Sequence, residues 1–406
     1  MPHDAPIELP AALRRRLGLP LLVLYGTGIT IGAGIYVLIG AVAGHAGVHA
    51  PWSFMLAALV MAFTVASYAE LSTRFPVSAG EAAYVRAAFQ SRFLSTLTGL
   101  LSIVVGVVAS SAVVLGSAGY IAQFADLPPS LIVVIVIVAL GAVAAWGILE
   151  SVLLAGVFTL IEVGGLLAII AAAVHADLPI AVSLPPLEIG ALSGIAFASL
   201  LAFFAFVGFE DLANVVEEAK VPHRDIPRAM VLTLLISTIL YVAIAAIAIS
   251  AVSVERLSTS PAPLSLVFRE LAGVSPATIS AIAIVATLNT ILAQMTMAAR
   301  VIYGMARQGD LPGIVGRVHP RTATPLLATV LIVAAVIVLA LTVSFERLAE
   351  STSLATLVVF ALVNLALLRL RHRRVLTHGP HVRVPIWVPA AGLMACVAMI
   401  ASSLLN

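Results

Sequence analysis

The sequence predicts an all-α polytopic membrane protein, a bundle of about eleven transmembrane helices, on three observations. Of its 406 residues, 62% are hydrophobic and only 10% are charged, where soluble domains carry roughly 25%. The mean hydropathy is +1.15, and apolar runs of spanning length recur from end to end. Basic residues fall almost wholly in alternate loops. Lipid offers no partner to open backbone groups, and the alternation of a membrane barrel is absent, so every run is expected to be helical.

Breaks at proline, glycine and charge delimit the runs at 19–46, 52–74, 93–124, 130–148, 151–175, 190–216, 229–251, 277–307, 324–345, 351–370 and 385–404. They form one transmembrane domain over 19–406 behind an N-terminal segment, 1–18. Two partly polar stretches are too short to span. Residues 79–90 fit a short interfacial helix on the cytoplasmic side and 263–272 an external one, an ordered loop being the alternative for each.

Of the 21 Lys and Arg residues, 18 fall on one side of this arrangement, and only Arg256, Arg269 and Arg347 on the other. The skew places the N-terminus in the cytoplasm of an inner (plasma) membrane, and an odd number of spans leaves Asn406 outside. The first apolar run is too long for a cleaved signal, so the N-terminus is expected to stay attached. Mixed-charge residues Glu217 to Arg228 read as a cytoplasmic loop. Arg369 to Arg374 read as a basic stop that touches anionic headgroups.

Several function classes are disfavoured. A formal charge of +2, with Lys and Arg spread between spans, argues against nucleic acid as a partner. The single cysteine, Cys396, excludes an internal disulfide and any multi-cysteine metal site, and no cofactor is expected. Neither H-E-x-x-H nor a serine in a glycine turn occurs, so an intramembrane hydrolase lacks its machinery.

Two spans look interrupted. The first contains Gly26, Gly28, Gly32 and Gly34 in nine residues, and each glycine weakens a helix interior by about 1 kcal/mol relative to Ala. Helix packing is the competing explanation, because Gly28 with Gly32 and Gly40 with Gly44 match G-x-x-x-G. The sixth carries Gly208 among Phe203, Phe204, Phe206 and Phe209, followed by Glu210 and Asp211. If 19–175 and 190–372 are inverted repeats, with 385–404 peripheral, these interruptions occupy corresponding positions, the sequence pointer to a secondary-transporter site. Half-helices meeting in the membrane offer N–H groups to an anion and carbonyls to an ammonium. A zwitterion suits both. A channel, the rival from another class, normally repeats one filter in identical subunits or rings.

The run from Ile31 to Val37, Ile-Gly-Ala-Gly-Ile-Tyr-Val, resembles the first-helix signature of the amino acid-polyamine-organocation superfamily of permeases. Four further stretches, in order, resemble the same family: Ala69 to Pro76 with Gly80-Glu81, Phe203 to Glu210, Glu217 to Pro227, and Ala306 to Pro312 with His319 to Arg321. The resemblance implies a leucine-transporter-like fold of five plus five inverted helices and alternating-access transport of amino acids or related amines. Exchangers and polyamine carriers are the alternatives within it. Carried over by residue, it implies a substrate carboxylate at Gly32, Ala33 and Gly34, just after Thr30. It places an ammonium at the carbonyls of Phe204, Ala205 and Val207, with Phe209 closing over the substrate or simply packing. Two departures stand out. Most members have twelve spans, and some proton-coupled members carry a lysine in helix 5, whereas the lysine here is Lys220, in a loop.

Glu162 lies about eleven residues into helix 5, roughly 16 Å from its cytoplasmic end, near the middle of a core about 30 Å thick. A charge there costs at least about 2.5–3.5 kcal/mol, so the side chain must face the bundle and either pair or carry a proton. Glu162 is therefore the candidate for coupling protons to transport, a permanently protonated structural acid being the alternative. Glu210 is a candidate vestibule acid, able to attract a cationic substrate or sense a proton. Asn289 and Thr290 could ligate sodium in place of protons, or hydrogen-bond between helices.

Overall fold

The computed structural model describes residues 17–76, 80–146, 152–178, 185–273, 275–320, 322, 324–374 and 381–405. Most of the N-terminal segment, with Arg14, Arg15 and Arg16, lies outside the described residues, as do Arg321 and Asn406. A helix or a broken helix occupies each of the eleven apolar runs, and no strand is formed among the described residues.

The first run divides into α1 (Leu19–Ile31) and α2 (Gly34–Ala46). There follow α3 (Ala50–Arg74), the short α4 (Gly80–Phe89), α5 (Arg92–Ile121), α6 (Pro129–Trp146) and α7 (Val152–His175). The sixth run gives α8 (Leu192–Phe204) and then only 3-10 turns, Phe209–Ala213 and Val216–Glu218. The remainder is α9 (Pro222–Ala251), α10 (Val254–Thr259), α11 (Pro263–Ala272), α12 (Ala277–Arg307), α13 (Leu326–Thr342), α14 (Phe345–His372) and α15 (Trp387–Leu405). Among the described residues, eight stretches are long and apolar enough to cross a membrane, and Leu19–Ile31, Leu326–Thr342 and Trp387–Ser403 are shorter apolar helices. Both short amphipathic stretches are helical rather than looped.

Two helix starts move appreciably, and the helix expected from 351 begins at Phe345. The helix expected from 229 begins at Pro222 and absorbs half of the charged loop. Proline is preorganised for a first helical turn, and Asp225 complements the positive end of the helix there. Arg224 Nε lies 2.9 Å from the Asp225 carboxylate, which satisfies that otherwise buried acid.

The packing has an internal symmetry. α1 packs on α9 and α7, α8 on α3 and α14, α5 on α12 and α14, α7 on α12, and α6 on α13. Exchanging each of the first five spans for its counterpart five spans later turns the contact of α1 with α9 into that of α8 with α3. The same exchange turns α5 with α14 into α12 with α7, and α1 with α7 into α8 with α14. Contacts of α3 with α9, α5 with α12 and α6 with α13 map onto themselves. The contacts thus pair each of the first five spans with the span five later.

At one end of the bundle, Glu70 of α3 is fully buried and accepts from Arg74 at 2.7 Å, from both Arg371 Nε at 3.0 Å and Arg371 Nη2, and from the Val384 N–H at 2.9 Å. Arg371 Nη2 also donates to the Val384 carbonyl. Of the basic stretch Arg369 to Arg374, Arg371 is thus turned into the protein, while Arg373 and Arg374 are exposed. Arg369 also donates to Ala88 O at 3.1 Å and lies over the Phe89 ring. A buried carboxylate is tolerated only with cations at hand, and α14 delivers one. The peripheral α15 docks nearby on Asn364, which donates to Thr64 Oγ1 at 3.0 Å and accepts from Ser67 at 2.6 Å. Gly392 makes that approach possible, because a Cβ there would stand 2.7 Å from Asn364 Oδ1.

Candidate functional site

The first break is centred on Gly32, whose φ of +22° and ψ of −126° lie where L side chains are strained. Its N–H still donates to Gly28 O at 2.9 Å, ending α1. The ladder of α2 resumes when the Val37 N–H reaches Ala33 O at 3.1 Å. The N–H groups of Gly34, Ile35 and Tyr36 therefore precede the first i→i−4 bond of α2 and form its positive end. Thr290 Oγ1 accepts from the Ala33 N–H at 3.1 Å, pinning α12 to the interruption.

The second break begins after Phe204. The N–H groups of Ala205, Phe206 and Val207 turn back to the carbonyls of Ala202, Phe203 and Phe204 in 3-10 fashion. Gly208, at φ +123°, then reverses the chain, and its N–H donates to Glu210 Oε2 at 2.8 Å. The two interruptions touch, because a Cβ on Gly34 would lie 2.6 Å from Ala205 Cα. Tyr241 of α9 spans them. Its hydroxyl oxygen lies 2.7 Å from Thr30 O and 2.8 Å from Ala205 O, so one proton serves a carbonyl from each broken helix.

Of the residues expected from the sequence, Thr30, Gly32, Ala33, Gly34, Phe204, Ala205 and Val207 are brought to this junction. Their groups are not all equally available. The Phe204 carbonyl accepts from Val207 and the Ala205 carbonyl from Tyr241. The Phe209 ring packs edge-on against Tyr68 and Phe360, with centroids 5.4 and 5.5 Å away. The two readings of the glycine cluster divide by residue. Gly28 packs against Thr159 of α7, and Gly40 and Gly44 pack against Leu257 and Ser258, while Gly32 makes the break.

Glu162 is fully buried, and its Oε1 accepts from Asn289 Nδ2 at 3.4 Å. Asn289 Oδ1 is buried without a hydrogen-bond partner among the described residues. The carbonyl of Glu162 accepts from the Tyr36 hydroxyl at 2.6 Å, and Tyr36 O in turn accepts from Tyr120 at 2.6 Å. These three tyrosines, Tyr36, Tyr120 and Tyr241, were not singled out by the sequence. The available signal was a phenol in the middle of an apolar run, since a buried tyrosine hydroxyl normally finds a partner.

Glu210 and Asp211 lie in the 3-10 turn that follows Gly208, and Asp211 accepts from Asn214 Nδ2 at 3.2 Å. Neither pairs with a lysine or arginine among the described residues. An apolar groove of about 680 Å³ between α3, α8 and α9 is lined by Trp52, Met55, Leu59, Val231 and Leu235. No residue of either break lines it, and its Trp52 N–H is already bonded to Pro185 O.

Comparison with known proteins identifies the family. The family profile described as amino acid permease matches residues 17–406. An uncharacterized transporter of Mycobacterium tuberculosis is 33% identical over 399 residues, covering 97% of this chain and 87% of the relative. The branched-chain amino acid permease BcaP of Bacillus subtilis is 30% identical over 89% of this chain and 82% of its own length. The vacuolar cationic amino acid transporter 4 of Arabidopsis thaliana is 30% identical over 89% of this chain and 64% of its own.

Proposed function

The chain belongs to the amino acid permease family of multi-pass membrane transporters, and from that premise we propose that it carries amino acids by alternating access about the paired helix breaks, energised by protons exchanged at Glu162. The observation that carries this reading is the junction of Gly34 with Ala205 under the shared Tyr241 hydroxyl. Rigid helices would offer a zwitterion no backbone groups in the membrane; here both kinds are available within one junction. The substrate carboxylate is received at Gly32 to Gly34, by N–H groups at the positive end of α2. The ammonium is received by carbonyls at Phe204, Ala205 and Val207. Both sit where two halves of the bundle meet, so a rocking of one half against the other exposes them to each side in turn. The exchange symmetry of the helix contacts supports that division into 19–175 and 190–372, with α15 peripheral. The charge skew supports a plasma-membrane orientation with a cytoplasmic N-terminus and an external C-terminus.

Glu162 suits that role because its helix touches both segments of the first broken span and α12. Its own α7 docks on Gly28 through Thr159, its carboxylate meets α12 at Asn289, and its carbonyl holds Tyr36 of α2. A change of protonation there acts directly on Asn289 of α12, the helix whose Thr290 accepts from the Ala33 N–H at the first break.

Purified protein in liposomes tests both parts. Saturable counterflow of labelled amino acid is expected, with leucine and arginine as the first probes; unitary currents without counterflow would instead identify a channel. Glu162→Gln keeps an oxygen facing Asn289 but removes the exchangeable proton, so it is expected to abolish accumulation driven by a pH gradient while sparing exchange. Accumulation at the wild-type level in that variant ends the assignment to Glu162. Loss of accumulation on replacing sodium with choline points to sodium held at Asn289 and Thr290.

A further inference from the structure

Below the second break, where the 3-10 turns lead toward α9, three carboxyl side chains gather: Glu210 and Asp211 from the turn, and Glu81 from α4. α4 packs against that turn, where a Cβ on Gly80 would stand 2.9 Å from Asn214 Oδ1, and the Tyr68 ring that meets Tyr84 also meets Phe209 of the turn. Glu81 accepts from the Tyr68 hydroxyl at 3.0 Å, Glu210 from the Gly208 N–H and Asp211 from Asn214. All three carboxylic residues are only partly buried. None forms an ion pair among the described residues, although Arg74 and Arg371 at the same end of α3 and α14 are both committed to Glu70.

A second feature points to a ligand. Tyr84 sits three residues after Glu81, on the same face of α4. It is fully buried, yet its hydroxyl has no hydrogen-bond partner among the described residues. Buried polar side chains are satisfied in the large majority of cases, so an unpartnered hydroxyl beside carboxylates leaves a position for a polar group that arrives from elsewhere. Aromatic rings wall the same place, with Tyr84 6.2 Å from Tyr68, and Tyr68 5.4 and 5.5 Å from Phe209 and Phe360.

The sign of the cluster calls for a cation, and its spacing selects the kind. Among the described residues no three acidic, histidine or cysteine side chains converge closely enough to hold a metal ion. Carboxylates spread around an aromatic wall and a hydroxyl suit a larger cation with several N–H donors, which bonds the oxygens separately and lays its charge over the rings. Ammonium and guanidinium groups have that shape. Glu210 is also bonded to Gly208, one residue beyond the Val207 carbonyl of the proposed ammonium site. A basic amino acid moving out of the junction therefore meets this cluster next.

We propose that Glu81, Glu210, Asp211 and Tyr84 form a second binding site, on the cytoplasmic side of the break, that receives the ammonium or guanidinium side chain of a basic amino acid. This deepens, and rests on, the amino acid transport reading and its cytoplasmic orientation. It makes basic amino acids substrates alongside neutral ones and gives the inner face its selectivity for them.

The test is efflux of L-arginine and of L-leucine from oriented proteoliposomes, with the concentration on the cytoplasmic face varied. In Glu81→Gln the half-saturating arginine concentration on that face is expected to rise about tenfold or more, the loss of one charge-assisted hydrogen bond. Leucine is expected to change by less than about twofold, within the scatter of a surface-type substitution. Tyr84→Phe, which deletes only the hydroxyl, should move arginine in the same direction by less, and guards against a folding defect in the first variant. Equal effects on arginine and leucine would show a gate rather than a cation site and overturn the proposal. Wild-type protein that moves leucine but not arginine overturns it while leaving the transport reading intact; movement of neither removes both.

Discussion

Glu70→Ala is expected to cost the fold about 3–5 kcal/mol, because it strands two guanidinium groups in the interior rather than deleting one contact. Arg74 and Arg371 have side chains only 8% exposed, and both point at this carboxylate. The Val384 N–H loses its acceptor in the same step, which loosens the segment leading into α15. Thermal melting of the detergent-purified protein checks this. A drop large enough to prevent recovery of monodisperse protein at growth temperature is the expected result, and Arg371→Ala should reproduce most of it. Glu70→Gln is a milder case that keeps the acceptor oxygen but not the charge, and should fall between. A wild-type melting curve for Glu70→Ala would mean that the cluster relaxes into water and contributes little, as exposed ion pairs do.

Gly34→Ala is expected to abolish transport with the protein still folded. The added Cβ would stand 2.6 Å from Ala205 Cα, 2.9 Å from its Cβ and 3.0 Å from its carbonyl oxygen. Two of those are backbone atoms, so no rotamer relieves the contact and the two breaks must separate. Tyr241 then cannot reach Thr30 O and Ala205 O together. Displacing binding groups by about 1 Å costs on the order of 100-fold in rate, and counterflow should fall by roughly that factor. Gly164→Ala is the control, because a Cβ there meets nothing within 4 Å. Counterflow near the wild-type rate in Gly34→Ala would show that the junction opens freely and would remove the central support for the transport mechanism.

Glu162 and Glu70 show how differently two buried acids are read from sequence. Glu162 is conspicuous because it interrupts a long apolar run, and its depth follows from helix rise alone. Glu70 lies a few residues from the polar end of a span, where a carboxylate ordinarily faces water. Its burial depends on Arg371, some 300 residues later, and on the segment before α15. Separations of that kind leave no local trace. The same holds for Tyr241, which resembles any tyrosine in an apolar helix until α9 is laid against both breaks.

The sequence by itself determined which segments span the membrane, where the first and sixth lose continuity, and which family the pattern resembles. Each is a local consequence of composition: apolar length sets a span, and clustered glycine lowers the cost of leaving a helix. Tertiary structure alone decided that the two interruptions touch, that one phenol bridges them, that Phe209 packs against Tyr68 and Phe360, and that α4, with Glu81, packs against the turn of Glu210 and Asp211. Those arrangements arise from packing between helices remote in the chain, and the residue at a contact encodes its partner only through the shape and charge left for it to fill.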